Sequence, residues 1–169
     1  MNKVFYILSL LIVFPAPFLF FLFLYNSIEK RAKKIIELLP NDFESKYTDV
    51  RIWFKGYDAS KKINRYKIDP LKSLYSYNLA NLYVYKEGLV VVGKMNAYGR
   101  IRLLSPFAIC RPGATSHLSI VPNRVIYISA EVIGQDIDIK FQDQEYTNSI
   151  ILVAKNIGID LASKINTEV

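Results

Sequence analysis

The uncharged, mostly apolar stretch from Val4 to Tyr25 constrains the fold of the chain more than any other feature. These 22 residues contain no Asp, Glu, Lys, Arg or His. A helix of this length is about 33 Å long and would cross a hydrocarbon core of about 30 Å. Tyr6 and Tyr25 stand near its two ends, where amphipathic rings favour a membrane interface. The stretch therefore predicts a single transmembrane helix that anchors the chain.

A cleaved signal peptide is the alternative interpretation of the same stretch, with Lys3 as its basic start. The sequence after Phe14 argues against it, because Pro15-Ala16-Pro17 leads into further bulky apolar residues and no small-x-small cleavage pattern follows. An uncleaved anchor is therefore favoured. The two prolines predict a kink at its middle, with a notch for a partner helix as the alternative.

The basic residues on either side of the stretch predict its orientation. Only Lys3 precedes it, whereas four basic residues follow it closely: Lys30, Arg31, Lys33 and Lys34. Because basic flanks stay on the cytoplasmic side, the C-terminal part is expected in the cytoplasm, at the inner (cytoplasmic) membrane. The single Cys110 is compatible with a reducing compartment.

On this interpretation the chain has three parts: an anchor (1–26), a basic juxtamembrane stem (27–46) and a folded domain (47–169). Apolar residues recur on one helical face of the stem, namely Ile28, Ala32, Ile35, Ile36 and Leu39. That face either rests on lipid headgroups or packs on the folded domain. Residues 26–124 carry a net charge of +10 and residues 125–169 a net charge of −4. This division suits a domain that faces an anionic leaflet.

Alternating apolar residues predict β-strands through most of the folded domain. The alternation is most regular over Asp136–Phe141, where Ile137 and Ile139 are expected to face inward. Glu87-Gly88 predicts a tight reversal, and Asn96–Gly99 predicts another. After Asp143 the spacing changes and predicts an amphipathic C-terminal helix, because apolar residues recur every three or four positions: Ile150, Ala154, Ile157, Leu161 and Ile165.

The predicted fold class is therefore α+β: an N-terminal single transmembrane helix, then a curled antiparallel β-sheet or split barrel, and a C-terminal amphipathic helix. This order over residues 70–166, with the hairpin from Leu82 to Val91, resembles the pleckstrin-homology/GRAM-like superfold, particularly its bacterial membrane-anchored versions. An unrelated α+β sheet with one helix is the alternative architecture. In lipid-binding members of that family a basic first hairpin holds headgroup phosphates. The matching turn, Lys86-Glu87-Gly88, has one base and one acid, so phosphoinositide recognition does not carry over.

Two sets of side chains are candidates for binding. The first set is basic and would contact a membrane or another anion: Lys30, Arg31, Lys33, Lys34, Lys94, Arg100 and Arg102. The second set is aromatic, shares one strand parity and would form a partner surface: Tyr75, Tyr77, Tyr83 and Tyr85. Packing within the sheet is the alternative role for the tyrosines.

Residues for catalysis are scarce. A thiolate–imidazole pair of Cys110 and His117 is the one nucleophilic arrangement on offer, but Pro112-Gly113 separates the two in a predicted loop and no orienting acid is evident. A single His excludes any multi-His metal site, and no glycine-rich phosphate loop occurs. The sequence therefore predicts no enzyme, no cofactor, no metal and no nucleic-acid partner.

The function expected from the sequence alone is that of a single-pass membrane-anchored, non-enzymatic interaction module. Its cytoplasmic domain would bind a protein partner or the anionic leaflet, and the anchor would raise the effective concentration of that domain. The alternative is a small accessory or immunity-type subunit of a membrane or secretion assembly.

Overall fold

The computed structural model describes residues 15–56, 77–114, 117–142 and 149–165, and β-strands are their commonest secondary structure. A long helix, α1 (Pro15–Leu38), comes first, and a short one, α2 (Gly158–Ile165), comes last. Between them lie the 3₁₀ turn His117–Ile120 and eight strands: β1 (Ser45–Lys55), β2 (Leu79–Tyr85), β3 (Gly88–Ala97), β4 (Arg100–Leu103), β5 (Phe107–Cys110), β6 (Asn123–Ile133), β7 (Asp136–Gln142) and β8 (Ile150–Ala154).

Helix α1 corrects the prediction of a membrane anchor. Residues 4–14 of the predicted span lie outside the described residues, and the uncharged part that is described, Pro15 to Ile28, is only about 21 Å long. From Glu29 onward the helix carries charges and lies against the sheet, with Ala32 fully buried. No helix among the described residues is both long and apolar enough to cross a membrane. The predicted transmembrane helix, the membrane as an integral partner and the inner-membrane location are therefore not supported.

The strands form one sheet that closes on itself. Their order is β2-β1-β8-β7-β6-β5-β3, and a further pairing of β2 with β3 completes the ring of seven, while β4 pairs only with the end of β3. All neighbours are antiparallel except β5 and β6, which run parallel from Phe107 opposite Asn123 to Cys110 opposite Ile126. The wholly antiparallel sheet of the prediction is thus wrong at this pair. A parallel pair needs a crossover, and residues 111–122 provide one.

Closure of the sheet creates two apolar layers. The inner layer fills the ring with side chains from most strands, among them Ile52, Leu82, Phe107, Ile139 and Leu152. The outer layer lies on β2, β3 and β5, where Tyr83, Tyr85, Val90, Val92 and Ala108 are covered by Leu39, Leu118 and Val121. Because both faces of β3 are buried here, its sequence is a continuous apolar run from Leu89 to Val92 rather than an alternating one.

The C-terminal helix is shorter than its apolar spacing predicted. Residues 150–154 form β8, which is hydrogen-bonded between β1 and β7. This segment is rich in β-branched residues, and its two flanking strands satisfy its backbone groups. Asn156 then adopts a positive φ of 61°, and α2 begins only at Gly158. The predicted helix from Ile150 is therefore wrong over its first turns.

Helix α2 lies along β6 where β5 ends. Beyond Ile126, no described strand pairs with β6 on the side of β5. The helix fills this position: the Gly158 N–H donates to Gln135 O (2.8 Å) at one end, and Arg111 Nη2 donates to Ile165 O (2.6 Å) at the other. Leu161 enters the inner layer. The helix thereby covers an edge that would otherwise be open for pairing.

Replacement of Gly158 by Ala should destabilise the protein. A Cβ at this position would lie 2.4 Å from Asp136 O, closer than real contacts allow. Ala is the better helix former by about 1 kcal/mol, but relief of the clash requires backbone movement that costs about 1–3 kcal/mol. We expect a lower free energy of unfolding in urea. Gly113→Ala serves as the control for backbone strain without a clash. A Cβ added at Gly113 would meet nothing within 4 Å, although the φ of this residue is +78°. A stabilised G158A variant would contradict the packing described.

Candidate functional site

The long helix α1 is held against the β3–β4 hairpin. It is continuous through residue 26, so the predicted junction between anchor and stem lies inside it, and it ends at Leu38. At the hairpin turn Tyr98 and Gly99 both adopt positive φ angles. The ring of Tyr98 packs edge-on against Phe18, with centroids 4.8 Å apart, and also contacts Tyr25. The hairpin therefore supports the N-terminal half of the helix.

A buried carboxylate lies at the centre of the contact between helix and hairpin. Glu29 is 7% exposed and Arg102 is 5% exposed. Arg102 Nη1 donates to Glu29 Oε2 (3.2 Å) and to Asn26 Oδ1 (2.5 Å). Glu29 Oε1 accepts from Lys33 Nζ (2.9 Å) and from Arg100 Nη2 (3.4 Å). We call these five residues the Glu29 network.

The Glu29 network keeps its carboxylate ionised. The hydrogen bond from Lys33, together with the charges of Lys33, Arg100 and Arg102, holds the pKa of Glu29 below its ordinary value, although burial opposes this. One negative charge is thus surrounded by three positive ones. The network therefore retains an excess of positive charge where it meets solvent.

A groove opens above the Glu29 network, between α1 and β4, and has a volume of about 580 Å³. Lys30 and Lys34 line it from the helix, one turn apart, and both are exposed. Arg100 lines it from β4, with 62% of its side chain exposed. Glu37 contributes a negative charge to the lining. We call this feature the basic groove.

The structure brings five of the seven predicted basic contact residues together. Lys30, Lys33, Lys34 and Arg100 line the basic groove, and Arg102 lies beneath it. Arg31 is exposed on α1 and is not in the lining, and Lys94 pairs with Asp49 (2.7 Å) on β1. Sequence reasoning missed Glu29 as the centre of the cluster. The spacing of Glu29 and Lys33 by four residues on a helix was the signal that pointed to it.

The predicted tyrosine surface is mostly inside the protein. Tyr75 lies outside the described residues, and Tyr77 belongs to the inner layer. Tyr83 and Tyr85 lie in the outer layer, where the Phe43 ring packs edge-on against both. The Tyr85 hydroxyl donates to Pro40 O (3.0 Å), and burial raises the pKa of Tyr85 to about 12. These three rings therefore take part in the packing of the chain itself.

The N-terminal half of α1 exposes large apolar side chains around much of its circumference. Five of them are between 47% and 73% exposed: Phe18, Leu19, Phe20, Phe21 and Phe23. Tyr98 and Ile101 of the β3–β4 hairpin extend this surface and are also exposed. We call these seven residues the apolar patch. Sequence reasoning identified this segment as apolar but assigned it to lipid.

The thiolate–imidazole pair that the sequence disfavours gains no support from the structure. Cys110 ends β5 and is half-buried. Burial raises the pKa of its thiol, which keeps the sulfur protonated and poorly nucleophilic at neutral pH. The side chain of His117 is outside the described part of the chain. Within that part, no three His, Cys, Asp or Glu residues are grouped so that they could hold a metal ion.

Comparison with known proteins adds no relative: no family model, no curated protein and no solved structure matches the chain. The resemblance to the pleckstrin-homology/GRAM-like superfold is not tested by these comparisons and stays a prediction. The function must therefore be argued from the surfaces of the chain itself.

Replacement of Glu29 by Gln should destabilise the protein at neutral pH by about 2 kcal/mol, because it leaves buried Arg102 without its carboxylate. Since the pKa of Glu29 is lowered in the folded state, its contribution is present at neutral pH. That contribution is lost as the pH falls below the ordinary value of 4.5 and through the folded-state pKa. Urea unfolding should therefore show a smaller loss of stability on acidification for E29Q than for the unmodified chain.

The matched control for this prediction is Glu37→Gln, an exposed carboxylate on the same helix. We expect E37Q to change the free energy of unfolding by less than about 0.5 kcal/mol. Equal effects of E29Q and E37Q at neutral pH would contradict the central position of Glu29.

Proposed function

We propose that the chain is a non-enzymatic interaction module that binds a protein partner through the apolar patch. The observation that carries this proposal is the group of large apolar side chains between Phe18 and Phe23 that α1 leaves exposed. Scattered apolar side chains are normal on protein surfaces, whereas a contiguous patch of this kind marks an interaction site.

The apolar patch is supported from below, which favours a binding role. Phe18 and Tyr25 pack against Tyr98, and the Glu29 network fixes the next turns of α1 to β4. A surface that is already ordered loses little conformational freedom when a partner binds. The helix that carries the exposed rings is therefore held in place on the hairpin.

The chemistry of the patch indicates the chemistry of its partner. No charged residue occurs between Pro15 and Ile28, so a charged partner surface would lose water here without gaining an ion pair. Aromatic side chains are enriched at the centres of protein interfaces. The occupant we propose is an uncharged, apolar helix of another protein, packed on α1 at the usual helix–helix distance of about 8–10 Å.

Site-specific photo-crosslinking in the full-length chain tests this proposal. A photoreactive phenylalanine analogue at position 23, the most exposed of the five helix residues, should give a discrete adduct with one other protein. The same analogue at Glu37, on the charged half of α1, should not give it. The adduct protein is then purified, and its dissociation constant for the chain is measured.

The variant Phe23→Glu should weaken binding of that purified protein about tenfold or more. Leu38→Glu is the matched control, since Leu38 is also exposed on α1 but lies at its far end. We expect L38E to bind as the unmodified chain does. An adduct with lipid alone, an adduct with a second copy of the chain alone, or equal weakening by F23E and L38E would overturn the proposal.

A further inference from the structure

We infer that the basic groove between α1 and β4 is a binding site for a carboxylate-rich peptide segment. This goes beyond the proposed function, since the groove and the apolar patch occupy different halves of α1 and share no residue. The inference rests on the charge balance of the groove, on the spacing of its cations and on its shape.

The floor of the groove has fewer carboxylates than cations. Glu29 is shared among Lys33, Arg100 and Arg102, so it cannot neutralise all three. Arg102 is nearly fully buried, and its Nε has no hydrogen-bond partner among the described residues. An arginine does not shed its proton to relieve this situation. A further carboxylate near the groove would lower the electrostatic energy of the site.

The cations at the mouth of the groove are arranged to meet more than one carboxylate. Lys30 and Lys34 project from the same face of α1, about 6 Å apart, and Arg100 faces them from β4. The side chain of Arg100 is 62% exposed, and the fork of donors on its guanidinium matches a carboxylate. Two or three acidic side chains spaced along a peptide can therefore each reach a separate cation.

The shape and composition of the groove favour a peptide over other anions. Its volume of about 580 Å³ and its open form suit a chain segment better than a single small ion. Single-stranded nucleic acid uses aromatic side chains on which bases stack, and the lining contains none. Glu37 lines the groove at the end away from Asn26, so the acidic side chains of a bound peptide would lie toward Lys30.

Fluorescence anisotropy with a labelled octaglutamate peptide and the full-length chain tests this inference. Binding should be measurable at low salt and should weaken as salt is added. Lys34→Glu should weaken it at least about fivefold, and K30E should act in the same direction. The matched control is Lys140→Glu, which makes the same change of net charge at an exposed lysine on β7 and should change affinity less than about twofold.

Three results would overturn the inference. Equal weakening by K34E and K140E would show that binding follows only the net charge of +7. Equally tight binding of a single-stranded oligonucleotide of the same charge would show a general polyanion surface. Complete displacement of octaglutamate by inorganic phosphate at the same concentration of charge would show a small-anion site. Phe23→Glu should leave octaglutamate binding unchanged, so this site and the proposed partner surface succeed or fail independently.

Discussion

The attachment of helix α1 to the sheet depends on the ion pairs of the buried Glu29 carboxylate. This carboxylate joins α1 to the edge strand β4 through Arg100 and Arg102, at a place where no backbone ladder connects the two elements. Breaking such a pair is costly because an uncompensated charge stays behind. Both surfaces that we assign to binding lie along α1, the apolar patch on the N-terminal side of this contact and the basic groove directly above it. The network thus determines which side chains of the helix face the sheet and which face outward.

Closure of the sheet explains why the rest of the chain can support that helix. The pairing of β2 with β3 completes the ring, so apolar side chains fill its interior while a second layer builds up outside. The last turns of α1 pack on this outer layer through Ile35 and Ile36, and the following segment contributes Leu39 and Phe43. Helix α1 is therefore fixed at its end by apolar packing and at its middle by charge. Its N-terminal half extends from these two contacts and keeps its large apolar side chains exposed.

Much of the strand order follows from local pattern, whereas the site depends on distant contacts. The alternation over Asp136–Phe141 predicts β7 because one face of that strand lines the ring. The spacing over Ile150–Ala154 fits a helix equally well, and only the flanking strands β1 and β7 determine that it is a strand. Likewise Tyr77 and Tyr83 share a parity but lie in different layers, since β2 begins only at Leu79. The basic residues could be identified from sequence, but the approach of Lys30 to Arg100 depends on tertiary structure.

Both binding surfaces require that α1 is fixed to the sheet in one orientation, and a distance measurement tests this most directly. Spin labels at Arg31 on α1 and Lys140 on β7, both exposed positions, can be introduced after Cys110 is replaced by Ser. Double electron–electron resonance on the full-length chain should give a single narrow distance distribution, because the Glu29 network and the outer layer hold the helix. A broad distribution of distances between the two labels, measured with the Glu29 network intact, would show that α1 is not docked on the sheet. That result would contradict both proposed binding surfaces.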